Sequence, residues 1–143
     1  MATVHILDTS ALGRAFGDET SDEWLRDLLE SGAALMSVLG LTEARGIVQT
    51  RVRRGLPADA AQALWLQLQA ALEHINFTDL DRTDFEAAQA LVGAENELRA
   101  ADAIHLVAAR RVADAGVGVA FVTADRRQAA VAERLLDGVR LLP

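Results

Sequence analysis

Four acidic residues stand where a carboxylate could take part in chemistry. Asp8 and Asp125 each come at the end of a short apolar run, where a buried strand would end. Glu43 follows a third apolar run, near the start of a predicted helix. Asp102 lies within 100–109, a stretch that is apolar on nearly every helical face and is therefore expected to be buried. A carboxylate in such a helix is costly unless it is paired, hydrogen-bonded or bound to a cation.

Each of these acids also has a purely structural interpretation. Asp8 and Asp125 could cap the helix that follows them, because Asp is a favoured N-cap residue. Asp102 could cap its own helix or pair with Arg99. Glu43 falls away from the apolar stripe of its helix, which is typical of a solvated side chain. Taken singly, the four residues leave both interpretations open.

The elements that must position these acids alternate along the chain. Short apolar runs suit strands buried on both faces of a parallel sheet, and they occur at Val4–Leu7, Ala34–Leu39, Val117–Thr123 and Val139–Leu142, with a weaker run near Ile75–Phe77. Segments rich in Ala, Leu, Arg and Glu predict helices over Asp22–Leu29, Leu41–Arg54, Ala58–Glu73, Asp84–Leu98, Ala101–Ala115 and Arg126–Leu136. Ser21 and Thr83 are predicted to cap two of these helices. The alternation predicts one α/β domain over residues 1–143, a three-layer α/β/α sandwich around a parallel sheet of four to five strands.

A parallel sheet would bring the acids together. Ligands of open parallel sheets bind beyond the carboxyl ends of the strands, and Asp8, Glu43 and Asp125 all follow such ends. Several uncompensated carboxylates at one edge repel each other. One or two divalent cations would relieve that repulsion, and carboxylate oxygens suit Mg²⁺ or Mn²⁺. Such a site can polarise a phosphodiester and activate water.

The composition excludes several other chemistries. The 143 residues include no Cys, Lys or Tyr, which excludes disulfides, thiolate nucleophiles, phosphate-loop lysines and Schiff bases. A net charge of −7 is not typical of a passive nucleic-acid binder, so any nucleic acid must be attracted locally, by a cation or an Arg patch. No apolar run approaches the roughly 20 residues of a membrane span, and no signal-peptide pattern opens the sequence. We therefore expect a soluble, cytoplasmic protein without membrane association.

Four segments resemble the successive signatures of PIN-domain ribonucleases, and most closely those of the VapC-type toxins of bacterial toxin–antitoxin pairs. In chain order they are Leu7-Asp8-Thr9-Ser10-Ala11-Leu12, Thr42-Glu43-Ala44-Arg45, Arg99-Ala100-Ala101-Asp102-Ala103-Ile104-His105-Leu106 and Val122-Thr123-Ala124-Asp125-Arg126-Arg127. The resemblance spans essentially the whole chain.

This resemblance implies a metal-dependent endoribonuclease. It implies an acidic quartet that binds Mg²⁺ or Mn²⁺, formed by Asp8, Glu43, Asp102 and Asp125. It implies hydroxyl neighbours of that quartet at Thr9, Ser10 and Thr123. It also implies RNA as the substrate, and a homodimer that is neutralised by a cognate VapB-like antitoxin.

Because the chain has no Lys, Arg must supply every cationic side-chain contact to RNA. The candidates nearest to the acids in sequence are Arg14, Arg45, Arg126 and Arg127. His105 lies one helical turn after Asp102, so it could hydrogen-bond that carboxylate or simply pack in the core.

Two other functions compete with this one. A non-catalytic PIN-like module could use the acidic pocket only to dock a basic peptide, although docking does not require four acids. A DNA-directed or flap-type nuclease would need insertions that follow duplex DNA, and 143 residues leave little room for them.

Overall fold

The computed structural model describes residues 3–16 and 22–143, in which five strands alternate with seven helices. The strands are β1 (Val4–Leu7), β2 (Ala34–Ser37), β3 (Asn76–Thr78), β4 (Val119–Thr123) and β5 (Gly138–Leu141). The helices are α1 (Thr9–Ala15), α2 (Glu23–Ser31), α3 (Gly40–Arg53), α4 (Ala58–Leu72), α5 (Arg82–Ala94), α6 (Ala100–Asp114) and α7 (Arg126–Leu135). None of the described helices is long and apolar enough to cross a membrane.

All five strands run parallel, in the order β3-β2-β1-β4-β5. The chain adds β2 and β3 on one side of β1, and then crosses over to add β4 and β5 on the other side. Leu7, at the end of β1, is level with Met36 of β2 and Val122 of β4. The strand order therefore reverses between β1 and β4, which is where open α/β sheets bind ligands.

Alternate residues of the central strands face two separate cores, as the two-residue repeat of a strand requires. Leu7 and Val122 pack in one core with residues of α1 to α4. Ile6 and Phe121 pack in the other core with residues of α5 to α7. The predicted three-layer α/β/α architecture with a central parallel sheet is confirmed.

The edge strands are less buried than the sequence predicts. β5 leaves Arg140 and Leu141 exposed, so the expectation of a strand buried on both faces is wrong there. An edge strand pairs on one side only, and here a charged side chain protects the edge. The Arg140 guanidinium lies 3.6 Å from the ring centre of Trp24 on α2.

The helix caps differ from the predicted ones. Asp81, not Thr83, caps α5: its carboxylate accepts from the Asp84 amide at 3.1 Å, and the Asp84 carboxylate accepts from the Asp81 amide at 2.9 Å. At α2, Asp22 accepts a first-turn amide at 3.1 Å. The predicted cap Ser21 lies outside the described residues.

Candidate active site

Asp8 ends β1 and caps α1, and it is 3% exposed. Its Oδ1 accepts hydrogen bonds from the Ser10 hydroxyl at 2.7 Å and the Ala11 amide at 3.1 Å. Its Oδ2 accepts from the Thr123 hydroxyl at 3.1 Å. Burial raises the pKa of Asp8 to about 6 in spite of these bonds. The capping interpretation is therefore correct, and it is compatible with a place at the carboxyl edge of the sheet.

Two hydroxyl groups join the ends of β1 and β4. Ser10 Oγ accepts from the Ala124 amide at 2.9 Å and lies 3.2 Å from Thr123 Oγ1. Thr123 Oγ1 in turn accepts from the Asp125 amide at 3.0 Å. Both hydroxyls contact Asp8, so they tie the segment that carries Asp8 to the segment that carries Asp125.

Glu43 lies in the first turn of α3 and contacts both α1 and α6. The helix begins at Gly40, where an added Cβ atom would lie 2.2 Å from the sulfur of the buried Met36, so any other residue would force the Met36 side chain to move. Glu43 Oε1 accepts from the Thr9 hydroxyl at 2.7 Å and from His105 Nε2. Burial raises the pKa of Glu43, but the hydrogen bonds from His105 and Thr9 outweigh burial and hold this pKa below its usual value. The interpretation of Glu43 as a freely solvated residue is therefore wrong.

Asp102 lies in the first turn of α6, and no cationic side chain of the described residues pairs with it. Burial and the charges of Asp125 and Glu43 raise its pKa, and the Arg99 backbone and the charge of His105 offset this only in part. In the described part of the chain Asp102 forms no ion pair, so the side-chain pairing with Arg99 is not observed. His105 contacts Glu43 instead of Asp102.

Asp125 follows β4 and caps α7. Its Oδ1 accepts from the backbone amides of Arg127 at 2.9 Å and Gln128 at 3.3 Å. Asp125 thus places a negative charge beside Arg126 and Arg127, at a helix start where the dipole disfavours cations. The four predicted acids meet at one end of the sheet, from the segments that follow β1, β2 and β4 and from the start of α6.

The family model of the PIN domain matches residues 5–134. The chain belongs to the PIN domain family. PIN domains are typically nucleases and generally use divalent metal ions.

Two solved structures share the fold of this PIN domain. FitAcB from Neisseria gonorrhoeae is 17% identical with a TM-score of 0.66, over 94% of this chain and 95% of that chain. PAE2754 from Pyrobaculum aerophilum is 19% identical with a TM-score of 0.58, over 94% of this chain and 96% of that chain. No curated protein matches the sequence of this chain.

The PIN domain contains a buried polar residue that sequence reasoning did not single out, Gln128 of α7. Its side chain is 1% exposed, and its Nε2 donates to the backbone carbonyl of Asp102 at 3.3 Å. Its Oε1 lies 3.1 Å from the hydroxyl of Thr123. A usable signal was present, because Gln128 is in helical register with Val131 and Ala132 on the buried stripe of α7.

The predicted RNA-contacting arginines occupy different places in the PIN domain. Arg126 and Arg127 are exposed in the first turn of α7, directly after Asp125. Arg14 lies in the last turn of α1, at the opposite end from the capping Asp8. Arg45 is stacked 4.8 Å from the ring centre of Trp65 on α4. Arg45 is also exposed and lies two residues after Glu43, so the α7 pair differs from it in its place at a helix N-terminus beside Asp125.

The donor set of the site suits a hard divalent cation, because the acids repel each other and carboxylate oxygens are the preferred ligands of Mg²⁺ and Mn²⁺. In the arrangement observed, no three acidic or His side chains of the described residues converge closely enough to hold a metal. Protein donors occupy both oxygens of Asp8, Oε1 of Glu43 and Oδ1 of Asp125. Asp102 and the second oxygens of Glu43 and Asp125 are the groups that could receive a cation without displacing a hydrogen bond seen among the described residues.

Proposed function

We propose that this PIN domain is a metal-dependent endoribonuclease, acting in the cytoplasm as the toxin of a bacterial toxin–antitoxin pair. The observation that carries the proposal is the half-buried place of Asp102 beside the charges of Asp125 and Glu43; burial and these two charges raise the pKa of Asp102. Core packing gives no reason to keep three acids together. A site that recruits Mg²⁺ or Mn²⁺ gives one, because the cation offsets their repulsion.

In this proposal the four acids and their hydroxyl neighbours have different roles in RNA cleavage. Asp8, Asp102 and Asp125 hold one or two cations, and Glu43 either completes this set or orients the attacking water. A bound divalent cation stabilises the charge that develops on the phosphate and acidifies water. Thr9, Ser10 and Thr123 fix the carboxylates of Glu43 and Asp8 through their hydroxyl groups.

The exposed pair Arg126 and Arg127 supports an RNA path over the start of α7. Arg guanidinium groups bind phosphate in bidentate geometry, and helix N-termini favour anions. This local positive charge offsets the net charge of −7, which would otherwise repel RNA. The proposal also includes a homodimer and a VapB-like antitoxin as partners, as the sequence signatures imply.

RNA cleavage with Asp102→Asn tests the proposal, and Asp114→Asn is the matched control at the exposed last turn of the same helix. With Mn²⁺ we expect the wild-type chain to cleave single-stranded RNA, Asp114→Asn to match it, and Asp102→Asn to lose about a hundredfold or more. EDTA should abolish cleavage. Full activity of Asp102→Asn, or cleavage of DNA in preference to RNA, would contradict the assignment.

The rival peptide-docking module is favoured by one observation: among the described residues, no three acidic or His side chains converge closely enough to hold a metal. The melting temperature at about millimolar Mn²⁺ separates the two functions. A nuclease of this type is stabilised by Mn²⁺ beyond the effect of NaCl at equal ionic strength. A docking module is not.

A further inference from the structure

His105 is a buried polar side chain in the apolar helix α6. It is 1% exposed, and its neighbours Ala103, Leu106 and Ala109 are buried apolar residues of the same helix. An imidazole is costly to bury unless its nitrogens find partners. The contacts of this ring must therefore account for its presence.

The contacts of His105 converge on one carboxylate oxygen. His105 Nε2 bonds to Glu43 Oε1 and lies 3.2 Å from Thr9 Oγ1, and the Thr9 hydroxyl donates to the same Glu43 oxygen at 2.7 Å. An ionised carboxylate only accepts hydrogen bonds, so Nε2 must carry the donated proton. The single proton of Thr9 is already committed to Glu43, so Thr9 Oγ1 can only accept from the ring.

The other ring nitrogen of His105 differs from Nε2 in its hydrogen bonding. Nδ1 is buried and finds no hydrogen-bond partner among the residues that the structure describes. A histidine kept only to fasten helices together would be expected to use both nitrogens, since a buried unpaired nitrogen lowers stability. Among the described residues, the ring therefore forms hydrogen bonds with Glu43 and Thr9 alone.

We infer that His105 is a positioning residue that fixes the carboxylate of Glu43 within the acidic site. Both donors hold Oε1, which anchors the group to α1 and α6 and leaves Oε2 without a donor from the described residues. The charge of Glu43 already acts on Asp102, so the held carboxylate lies at the site. This inference rests on the proposed nuclease function, and it assigns His105 no contact with the substrate.

The test compares three substitutions at this position with a packing control. His105→Leu removes both nitrogens. His105→Gln carries an amide nitrogen about as far from the backbone as Nε2, and the amide nitrogen of His105→Asn reaches only the place of Nδ1. Val131→Ala removes buried volume from the same core without touching the site. For each variant we would measure the melting temperature, Mn²⁺ binding by calorimetry without RNA, and RNA cleavage.

His105→Leu is expected to melt at or above the wild-type temperature, because the unpaired Nδ1 is gone. Its Mn²⁺ affinity and cleavage rate should each fall about tenfold to a hundredfold. His105→Asn should fall likewise, while His105→Gln should stay within about threefold of wild type, since it keeps a donor. Val131→Ala should melt lower with unchanged Mn²⁺ affinity. In a Glu43→Gln background, His105→Leu should cause no further loss, because the two residues act as one unit.

Wild-type Mn²⁺ affinity and cleavage in His105→Leu would overturn the positioning role, and the proposed function would stand if Asp102→Asn still abolished both. If His105→Leu does not fold, equal behaviour of the Gln and Asn variants would overturn the role instead. A wild-type chain that neither binds Mn²⁺ nor cleaves RNA would overturn both proposals together.

Discussion

The side-chain amide of Gln128 donates to the backbone carbonyl of Asp102 at 3.3 Å, which joins the first turn of α7 to the first turn of α6. Asp125 and Asp102 stand on these two turns, and the charge of Asp125 acts against that of Asp102. A neutral amide is suited to this place. It supplies a donor and an acceptor between two anions and adds no charge of its own.

Gln128→Glu should therefore lower the free energy of unfolding by much more than an ordinary substitution does. The change removes the donor to Asp102 and places a fifth carboxylate, fully buried, beside the four acids of the site, so the free energy of unfolding at pH 7 should fall by about 3 kcal/mol or more. Chemical denaturation measures this, and the loss should shrink at acid pH as the new carboxylate is protonated. Gln69→Glu, on the exposed face of α4, is the control and should stay within about 0.5 kcal/mol. A loss that is the same at pH 4.5 and pH 8 would show that charge is not its cause.

Asp8→Asn should stabilise the chain in the absence of divalent cations, and only above a certain pH. Burial raises the pKa of Asp8 to about 6 from its usual value of 3.8, so the folded state disfavours its ionised form. The resulting loss of wild-type stability is complete above about pH 6 and disappears as the pH falls toward 3.8.

The advantage of Asp8→Asn at pH 8 should be at most about 3 kcal/mol, because the shift of about 2 pKa units sets its limit and an amide replaces the hydrogen bonds of Asp8 imperfectly. Urea denaturation in EDTA across this pH range checks the prediction. Asp27→Asn on the exposed side of α2 is the control, and it should change the free energy of unfolding by less than about 0.5 kcal/mol. An advantage that grows toward low pH would contradict the sign of the shift.

Arg111→Leu should destabilise the junction of α5 and α6. Arg111 pairs with Asp84, whose side chain is 7% exposed, and also donates to the Asp79 carbonyl. Removal of the cation leaves a buried carboxylate without its partner, which should cost about 2 kcal/mol. The exposed pair Arg82–Glu86 offers the matched control, since Arg82→Leu should cost less than about 1 kcal/mol. Equal losses in the two variants would show that burial of Asp84 does not matter.

The antitoxin is predicted to place an Arg in the acidic site and so to compete with Mn²⁺. An Arg can pair with carboxylates in bidentate geometry where a cation would otherwise bind. Rising Mn²⁺ should weaken antitoxin binding more than NaCl of the same ionic strength, because NaCl only screens. Calorimetry with the proposed antitoxin would measure this competition, with Asp102→Asn as the variant in which the Mn²⁺ effect should shrink. Binding that ignores Mn²⁺ would place inhibition elsewhere.

Most of the fold follows from patterns that are local in the sequence. Buried parallel strands need apolar runs, so β1 and β4 stand out, whereas the edge strand β5 needs no such run and keeps Arg140 exposed. The cap of α5 could not be placed in the same way. Asp81 and Thr83 are both good cap residues two positions apart, and the reciprocal bond with the buried Asp84 decides between them.

The candidate site was predictable in its acids and not in their partners. Each acid is marked by its place after a strand or within an apolar helix, which are local features. The contact of His105 with Glu43 joins residues 62 positions apart, and it depends on how α3 and α6 pack across the sheet. Helical spacing alone indicates a hydrogen bond between the His105 ring and Asp102, since the two residues are one turn apart.

The hydrogen bond from Thr123 to Asp8 spans 115 positions of the chain. During translation β1 is made before β4, so Thr123 is added 115 residues after Asp8. A nascent polypeptide that has not reached Asp125 lacks part of the acidic cluster, and the two halves of the cluster meet only when β4 docks beside β1. The acidic cluster therefore forms only after residue 125 has been added, so the proposed nuclease activity, which needs the whole cluster, would begin only then.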